Sequence, residues 1–217
     1  MSLAIFDLDN TLINGDSDYE WGQFLIENHI VDGEEYEREN ARYFERYQAG
    51  TLDILAFLAF TLKPLAQHDR EQLNKWHTVF MRQKILPMIG DKARALVEKH
   101  RHAGDTLVII TATNRFVTAP IAREFGIDHL IATDPEIKSG RYTGKVTGTP
   151  CFKEGKVERL QDWLEANQHN LDGSWFYSDS HNDLPLLNLV EHPVTVNPDP
   201  QLKAEAERLH WPTVQLY

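Results

Sequence analysis

The spacing of hydrophobic and polar positions changes along the chain and divides it into two parts. A short apolar run at residues 3–6 predicts a buried strand. Residues 17 to about 86 instead carry apolar side chains at helical spacing, for example Leu73, Trp76 and Phe80 at i, i+3 and i+7. Such stripes are typical of helices packed on a core. The first part of the chain therefore predicts one strand followed by a helical block.

From residue 87 onward, predicted helices and strands alternate. The predicted helices are 91–103, 117–125, 155–166 and a short one from 183, and the predicted strands are 107–110, 130–132, 175–177 and 194–196. Residues 137–147 contain two turn signals and predict a β-hairpin or flap. Such alternation is typical of a parallel sheet covered by helices. We therefore predict an α/β fold with a Rossmann-like parallel sheet, outside which the helical block forms a cap.

The composition is that of an ordinary globular protein and narrows the classes of partner. Of 217 residues, 41% are hydrophobic and 25% are charged, which disfavours disorder, collagen and disulfide scaffolds. The 22 Lys and Arg against 33 Asp and Glu give a formal charge of −11. We therefore expect neither nucleic acid nor an anionic membrane as a partner. An anionic substrate is still allowed, because local cations or a metal can reverse the sign inside a pocket.

The sequence favours a cytoplasmic location. The single cysteine, Cys151, cannot form an internal disulfide and is interpreted as structural, which favours a reducing compartment. Residues 1–7 lack the basic segment of a signal peptide. The longest apolar stretch, residues 54–62, is far shorter than the roughly 20 residues of a membrane span. The oligomeric state is left open.

Polar residues follow three of the predicted strands, at the edge where open α/β sheets bind ligands. Asp7 and Asp9 follow the first strand, Thr111 follows the second, and the segment Ser178–Asp183 follows a later one. Lys156 begins a helix ahead of that segment. We expect these side chains to converge on one crevice.

The chemistry of this set favours phosphoryl transfer. Clustered carboxylates resist ionising together unless a cation lies among them, and oxygen ligands suit Mg²⁺. A carboxylate can attack phosphorus, while its neighbour protonates the departing alkoxide and later activates water. Thr111 and Lys156 can hold the phosphoryl oxygens as these gain charge.

The same residues resemble the four motifs of the haloacid dehalogenase superfamily, in the same order. The matching segments are Asp7-Leu8-Asp9-Asn10-Thr11, then Thr111, then Lys156, and finally Ser178-Asp179-Ser180-His181-Asn182-Asp183. The helical insertion resembles the C1-type cap of the phosphoserine-phosphatase-like branch. The resemblance implies a core domain of residues 1–13 and 87–217 and a cap domain of residues 14–86.

The resemblance also implies a role for each carboxylate. Asp7 is expected to be the nucleophile and Asp9 the general acid and base. Mg²⁺ is expected on the Asp7 carboxylate, the Asp9 backbone carbonyl and the Asp179 carboxylate. Asp183 is expected to support the metal through water.

The phosphoryl group is expected to contact Thr111, Asn182 and one lysine. Lys153 and Lys156 are both candidates for that lysine, and Lys156 matches the family pattern better because a helix begins there. His181 is interpreted as part of the pocket wall rather than as a metal ligand.

Ordinary structural roles are also open for some of these residues. Asp16 and Asp183 each precede a predicted helix and can be N-caps. Thr111 can be an ordinary hydroxyl at a strand end. A structural role is disfavoured for Asp7 and Asp9, since placing two charges directly after a buried strand is costly.

The cap bears on the identity of the substrate. An acid at Asp9 favours ester hydrolysis over dehalogenation, since an alkoxide must be protonated and a halide need not be. Asp16 stands where phosphoserine phosphatases carry an acidic residue that meets the substrate amine. Residues 52–63 hold no Arg that could clamp a substrate carboxylate, although Arg42 or Arg46 could supply that charge.

These features favour an aminated phosphate ester without a carboxylate. L-histidinol phosphate comes first, since some proteins of the resembled branch hydrolyse it and the cap is rich in aromatic residues. Those residues are Trp21, Tyr43, Phe44, Tyr47, Phe57 and Phe60. Phosphoserine is the second candidate, and phosphoethanolamine or phosphocholine the third. From another class, a catalytically silent binding protein is disfavoured because the motif set is intact.

Overall fold

The computed structural model describes residues 2–217, so residue 1 of the predicted core segment lies outside the described residues. Its strands are β1 (Leu3–Phe6), β2 (Thr106–Asn114), β3 (His129–Lys138), β4 (Arg141–Thr147), β5 (Trp175–Ser178), β6 (His192–Val196) and β7 (Thr213–Val214). They form one sheet in the order β4-β3-β2-β1-β5-β6-β7. Neighbouring strands in this described sheet are parallel, except that β4 is antiparallel to β3. The predicted α/β fold with a Rossmann-like sheet is confirmed.

The helices that precede residue 81 account for the predicted helical block. They are α1 (Ser17–Glu27), α2 (Gly33–Gln48), α3 (Ile54–Thr61), α4 (Lys63–Gln67) and α5 (Arg70–Phe80). The next helix, α6 (Asp91–Ala103), is the one predicted at residues 91–103. A π-helical turn, Met81–Ile85, and a 3₁₀ turn, Leu86–Met88, connect α5 to α6. Helices α1 to α5 lie between β1 and β2 in the chain and add no strand to the described sheet. The division of the chain at residues 14 and 87 stays a prediction.

The remaining helices connect the later strands. They are α7 (Arg115–Glu124), α8 (Glu154–Asn167), α9 (Leu184–Leu187) and α10 (Pro200–Leu209). The sequence prediction missed α10 and β7 and gave β3 only three residues. Only the first part of β3 is deeply buried, while the part after Asp134 leaves the core and pairs with β4 as the predicted hairpin. The apolar run at residues 130–132 therefore predicted the buried part of β3, and the polar extension that pairs with β4 could not be predicted from it.

Acidic residues begin most helices of the helical block. Asp16, Asp32, Asp53 and Asp69 accept hydrogen bonds from backbone N–H groups at the starts of α1, α2, α3 and α5. A side-chain oxygen at this position satisfies donors that have no partner within the helix. Part of the net negative charge therefore has a local structural cause.

The central strand β1 separates two hydrophobic layers. Leu3 and Ile5 face one layer, and Ala4 and Phe6 face the other, as alternation along a strand requires. Because β1 lies between β2 and β5, the carboxyl ends of these three parallel strands meet at one edge. None of the helices described in residues 2–217 has the length and apolar character needed to cross a membrane.

Candidate active site

Lys156 joins two of the predicted carboxylates at this edge of the sheet. Its Nζ donates to Asp7 Oδ1 and to Asp183 Oδ2, each at 2.7 Å, and the side chain is almost fully buried. Burial works to lower the pKa of Lys156, but Asp183 and Asp7 outweigh it and raise the pKa well above its usual value. Lys156 therefore stays charged within the site. The other candidate, Lys153, donates to the Gly50 carbonyl at 2.7 Å instead.

Asp183 orients Lys156 rather than capping the helix that follows it. Asp183 occupies the N-cap position of α9, yet its side chain makes no capping hydrogen bond there. Its Oδ2 accepts instead from the Ser178 hydroxyl at 2.7 Å, in addition to Lys156. The capping interpretation of Asp183 is therefore wrong. Its predicted support of a metal through water stays a prediction.

Asp9 lies between the start of α1 and the end of β2. Its Oδ1 accepts from the Ser17 backbone N–H at 2.6 Å, and its Oδ2 accepts from the hydroxyls of Thr113 at 2.9 Å and Thr111 at 3.3 Å. Burial, together with repulsion from Asp16, raises the pKa of Asp9 to about 6. A carboxyl group with a pKa near neutrality can both give and take a proton, which is what a general acid and base must do.

The Thr11 hydroxyl connects the carboxylates expected to bind a metal. It lies 3.4 Å from Asp7 Oδ2 and 3.2 Å from Asp179 Oδ1. Burial raises the pKa of Asp7 to about 7, while the attraction of Lys156 opposes this rise and repulsion from Asp183 adds to it. Burial and repulsion from Asp7 also raise the pKa of Asp179 well above its usual value. A cation between these two groups would favour the charged form of both.

This donor set fits Mg²⁺ better than a transition metal. The groups are oxygens, and residues 2–217 contain no cluster of three or more His, Cys, Asp or Glu side chains placed to hold a metal ion. Mg²⁺ usually takes one or two protein carboxylates and keeps several waters. Asp7 and Asp179 supply that number.

A cavity lies between the strand ends and the helical block. We call it the active-site cavity. The strand ends contribute Asp7, Asp9, Thr111, Lys156, Asn182 and Asp183 to its lining. The helical block contributes Asp16, Asp18, Asn40, Tyr43, Phe44 and Phe57, as well as Tyr47. Six of the seven predicted motif residues therefore line one cavity, while Asp179 lines a neighbouring one.

Two predicted phosphate or substrate ligands have partners of their own. Asn182 is 3% exposed, its Nδ2 donates to Ser180 Oγ at 3.3 Å, and its Oδ1 has no partner among the described residues. Asp16 Oδ1 caps α1 by accepting from the backbone N–H groups of Asp18 and Tyr19, each at 2.9 Å. The capping role of Asp16 is thus present in the structure, and its contact with a substrate amine stays a prediction.

Two of the aromatic residues expected near the substrate, Trp21 and Phe60, and the predicted wall residue His181 do not line the active-site cavity. Trp21 is fully buried in the core, stacked on Phe24, because α1 turns that side chain away from the cavity. Phe60 packs on Tyr36 behind the cavity lining. His181 Nδ1 pairs with Asp199 at 2.8 Å, so the ring is held outside the lining. Trp21 and Phe60 are therefore not placed to pack against a substrate ring, and the interpretation of His181 as part of the pocket wall is wrong.

The helical block is held over the strand ends by polar contacts. The Tyr47 hydroxyl donates to Ser180 Oγ at 3.0 Å, and Lys153 reaches Gly50. Neither of these contacts was predicted from the sequence, and no role was predicted for Thr11, Thr113 or Ser178. Thr11 and Ser178 lie inside the quoted motifs, so their positions were a usable signal. The sequence contains no such signal for the contacts of Tyr47 and Gly50, because these contacts join distant parts of the chain.

The matches to known proteins agree with this arrangement. The model of the haloacid dehalogenase-like hydrolase family matches residues 4–188, and the chain belongs to that family. A curated relative from Neisseria meningitidis serogroup C (strain 8013), named histidinol-phosphatase, is 49% identical over 217 residues and covers 98% of each chain. The chain is therefore a phosphatase of this family, and the alternative of a silent binding protein is set aside.

Solved structures share the fold. A crystal structure of a protein of unknown function from Bordetella pertussis Tohama I has a TM-score of 0.94 at 46% identity and covers 100% of this chain and 99% of its own. A substrate-bound phosphoserine phosphatase has a TM-score of 0.73 at 19% identity and covers 98% of this chain and 92% of its own. At that identity the second likeness concerns the fold alone.

Proposed function

We propose that the chain is a Mg²⁺-dependent phosphomonoester hydrolase that forms an aspartyl-phosphate at Asp7. Its proposed substrates are small aminated phosphate esters, foremost L-histidinol phosphate. The observation that carries the proposal is the placement of Lys156 against Asp7 at the floor of a cavity walled by carboxylates and aromatic rings.

In the first step, an Asp7 carboxylate oxygen attacks phosphorus. The bond between phosphorus and the ester oxygen breaks, and Asp9 gives its proton to the departing alkoxide. In the second step, Asp9 takes a proton from water, and the water oxygen attacks phosphorus. The bond from phosphorus to Asp7 breaks, inorganic phosphate leaves, and both carboxyl groups return to their starting state.

The surrounding residues hold the charge of the phosphoryl group. Lys156, Thr111 and Asn182 would bind its oxygens, since all three line the cavity beside Asp7. The Asp7 carboxylate, the Asp9 carbonyl and the Asp179 carboxylate would hold Mg²⁺, with Asp183 acting through water. When bound, Mg²⁺ supplies positive charge that offsets the charge on the transferred group.

The cavity lining supports a substrate that has an amine and no carboxylate. Among the described residues that line it, Lys156 is the only basic residue, while Asp16 and Asp18 are acidic and can accept hydrogen bonds from an amine. Arg42 pairs with Glu39 on the surface, and Arg46 does not line the cavity. A substrate carboxylate would therefore lack a partner there, which is costly in a partly apolar site. The name of the 49% identical relative points to histidinol phosphate.

The experiment that tests this proposal is phosphate release from a panel of esters, with and without Mg²⁺. The panel contains histidinol phosphate, phosphoserine, phosphoethanolamine and phosphocholine. We expect kcat/KM for histidinol phosphate to exceed the others by about a hundredfold or more, as two to three additional polar contacts allow. We expect EDTA to stop release and Mg²⁺ to restore it. Equal rates for all esters would contradict the proposed substrate, and full activity in EDTA would contradict the metal requirement.

A further inference from the structure

Asp18 lies in the active-site cavity and has no cationic partner among the described residues. It projects from the first turn of α1, is half-buried, and lines the cavity with Asp16. Within residues 2–217 its carboxylate accepts a hydrogen bond of 3.4 Å from the Asn114 amide and forms no ion pair. Burial, together with repulsion from Asp16 and Asp9, raises the pKa of Asp18 well above its usual value. A buried carboxylate without a cationic partner destabilises the folded chain, and a ligand that donates a hydrogen bond to it would offset that destabilisation.

Asp16 and Asp18 differ in the hydrogen bonds that their carboxylates already accept. One oxygen of Asp16 caps α1 by accepting from the backbone N–H groups of Asp18 and Tyr19. Among the described residues, Asp18 accepts only the 3.4 Å hydrogen bond from Asn114, which lies at the end of β2. Asp18 therefore has more acceptor capacity left for a ligand in the cavity.

A second polar group of the cavity lining, the side-chain amide of Asn40, has no partner for its nitrogen among residues 2–217. Asn40 lies one helical turn after Tyr36 on α2, so the two side chains share a face of that helix. The Asn40 Nδ2 is buried and has no hydrogen-bond partner among the described residues. Asn40 lines the same cavity as Asp18. Among the described residues, the cavity lining therefore offers an acceptor without a cationic partner, Asp18, and a donor without a hydrogen-bond partner, Asn40 Nδ2.

Aromatic side chains line the same cavity. Tyr43 and Phe57 line the cavity and pack edge to face on each other, with ring centroids 5.4 Å apart. Phe44 lines it as well and is 53% exposed, so its ring has surface left for a further contact. Aromatic faces favour a flat ring as neighbour. A ring with one N–H and one unprotonated nitrogen matches an acceptor, a donor and aromatic walls together.

We propose that Asp18 is a specificity residue that accepts a hydrogen bond from a ring N–H of the leaving group. Asn40 Nδ2 donates to the other ring nitrogen, and Asp16 accepts a hydrogen bond from the substrate amine. This role rests on the proposed function, because it requires a substrate that carries an imidazole or a similar ring.

The test compares two esters that share an amine and differ in the ring. Histidinol phosphate carries the imidazole, and phosphoethanolamine does not. Asp18→Asn is expected to lower the ratio of their kcat/KM values by about tenfold, the difference between a hydrogen bond to a charged group and a neutral one. The loss is expected mainly as a higher KM for histidinol phosphate. Asp16→Asn is the matched control, since it retains the N-cap and affects an amine that both esters carry. It is expected to lower both kcat/KM values and to leave their ratio within about threefold.

The outcomes separate this role from the proposed function. A wild-type enzyme that hydrolyses both esters equally well would overturn the proposed substrate and the role of Asp18 with it. A wild-type enzyme that prefers histidinol phosphate, with Asp18→Asn retaining that preference, would overturn the role of Asp18 alone. Asn40→Ala provides a second test if Asp18→Asn does not fold. This variant is expected to lower the ratio of the two kcat/KM values, and an unchanged ratio would contradict the proposed contact with the ring.

Discussion

Asp7→Asn is expected to abolish phosphate release, with kcat reduced by about 10⁴-fold or more, as loss of a covalent nucleophile typically does. An amide oxygen is a poor nucleophile, and the Asn side chain also loses the charge that holds Lys156. The fold is expected to survive, because burial already disfavours the charged form of Asp7. The measurement is steady-state phosphate release from histidinol phosphate, together with thermal unfolding of the same preparation.

The control for Asp7→Asn is the same change at Asp128, an exposed residue between α7 and β3. Asp128→Asn is expected to leave kcat within about twofold, as surface substitutions away from special features usually do. Wild-type turnover by a folded Asp7→Asn variant would remove Asp7 from the nucleophile role.

The second large effect is expected at Lys156. Lys156→Met retains an unbranched stem but removes the ammonium group that contacts both Asp7 and Asp183. We expect kcat to fall by about 10²- to 10³-fold, which is typical of losing one group that stabilises transition-state charge. The change also leaves two buried carboxylates unpaired, so the fold is expected to lose about 3–5 kcal/mol. Lys156→Met combined with Asp183→Asn removes one of those charges and is expected to recover stability without recovering activity.

Lys153 provides the matched control for Lys156. Lys153→Met makes the same change three residues earlier and breaks the contact with Gly50. We expect this variant to alter kcat by less than about tenfold, which is about 1.4 kcal/mol in the activation barrier. The opposite order, with Lys153→Met the more damaged enzyme, would transfer the phosphoryl-binding role to Lys153.

The residues after each strand could be predicted because local pattern and topology act together there. A buried run such as Leu3–Phe6 identifies a strand, and parallel strands bring their carboxyl ends to one edge. Asp7, Thr111 and the segment Ser178–Asp183 follow from these two facts. The identity of the phosphate-binding lysine could not be predicted in this way, since Lys153 and Lys156 lie within one turn of each other. Which lysine enters the site depends on the backbone of Lys153, whose φ of 51° lies in the left-handed region at the start of α8 and orients the two side chains differently.

The helical block was predictable only in outline. Helical spacing identified the block, but the packing of its helices decides which aromatic rings line the cavity. Trp21 is turned into the core and Tyr43 toward the cavity by contacts with residues distant in the chain. Asp18 and Asn40 meet at the cavity for the same reason, since they belong to different helices. Specificity residues of this kind depend on tertiary packing, which a single sequence does not display.

The site concentrates more negative charge than its own cations neutralise. Asp7 and Asp183 contact the Lys156 ammonium, which is the only cation among the described residues of the site, and Asp9 and Asp179 lie close enough to Asp7 to be repelled by it. Burial makes this imbalance costly and raises the pKa of three of these carboxyl groups. We interpret the imbalance as the condition that makes the site receptive to a divalent cation and, with it, to an anionic phosphoryl group.

The central claim is that phosphorus becomes bonded to Asp7 during turnover. The measurement that tests it most directly is acid quenching of the enzyme during hydrolysis of histidinol phosphate with Mg²⁺. Borohydride reduction of the quenched protein, followed by peptide mass spectrometry, then locates any acyl phosphate. We expect Asp7, and no other Asp in its peptide, to be converted to homoserine, which is the product of reducing an aspartyl phosphate. Conversion at Asp9 or at another residue, or a wild-type enzyme that turns over without any conversion, would contradict it.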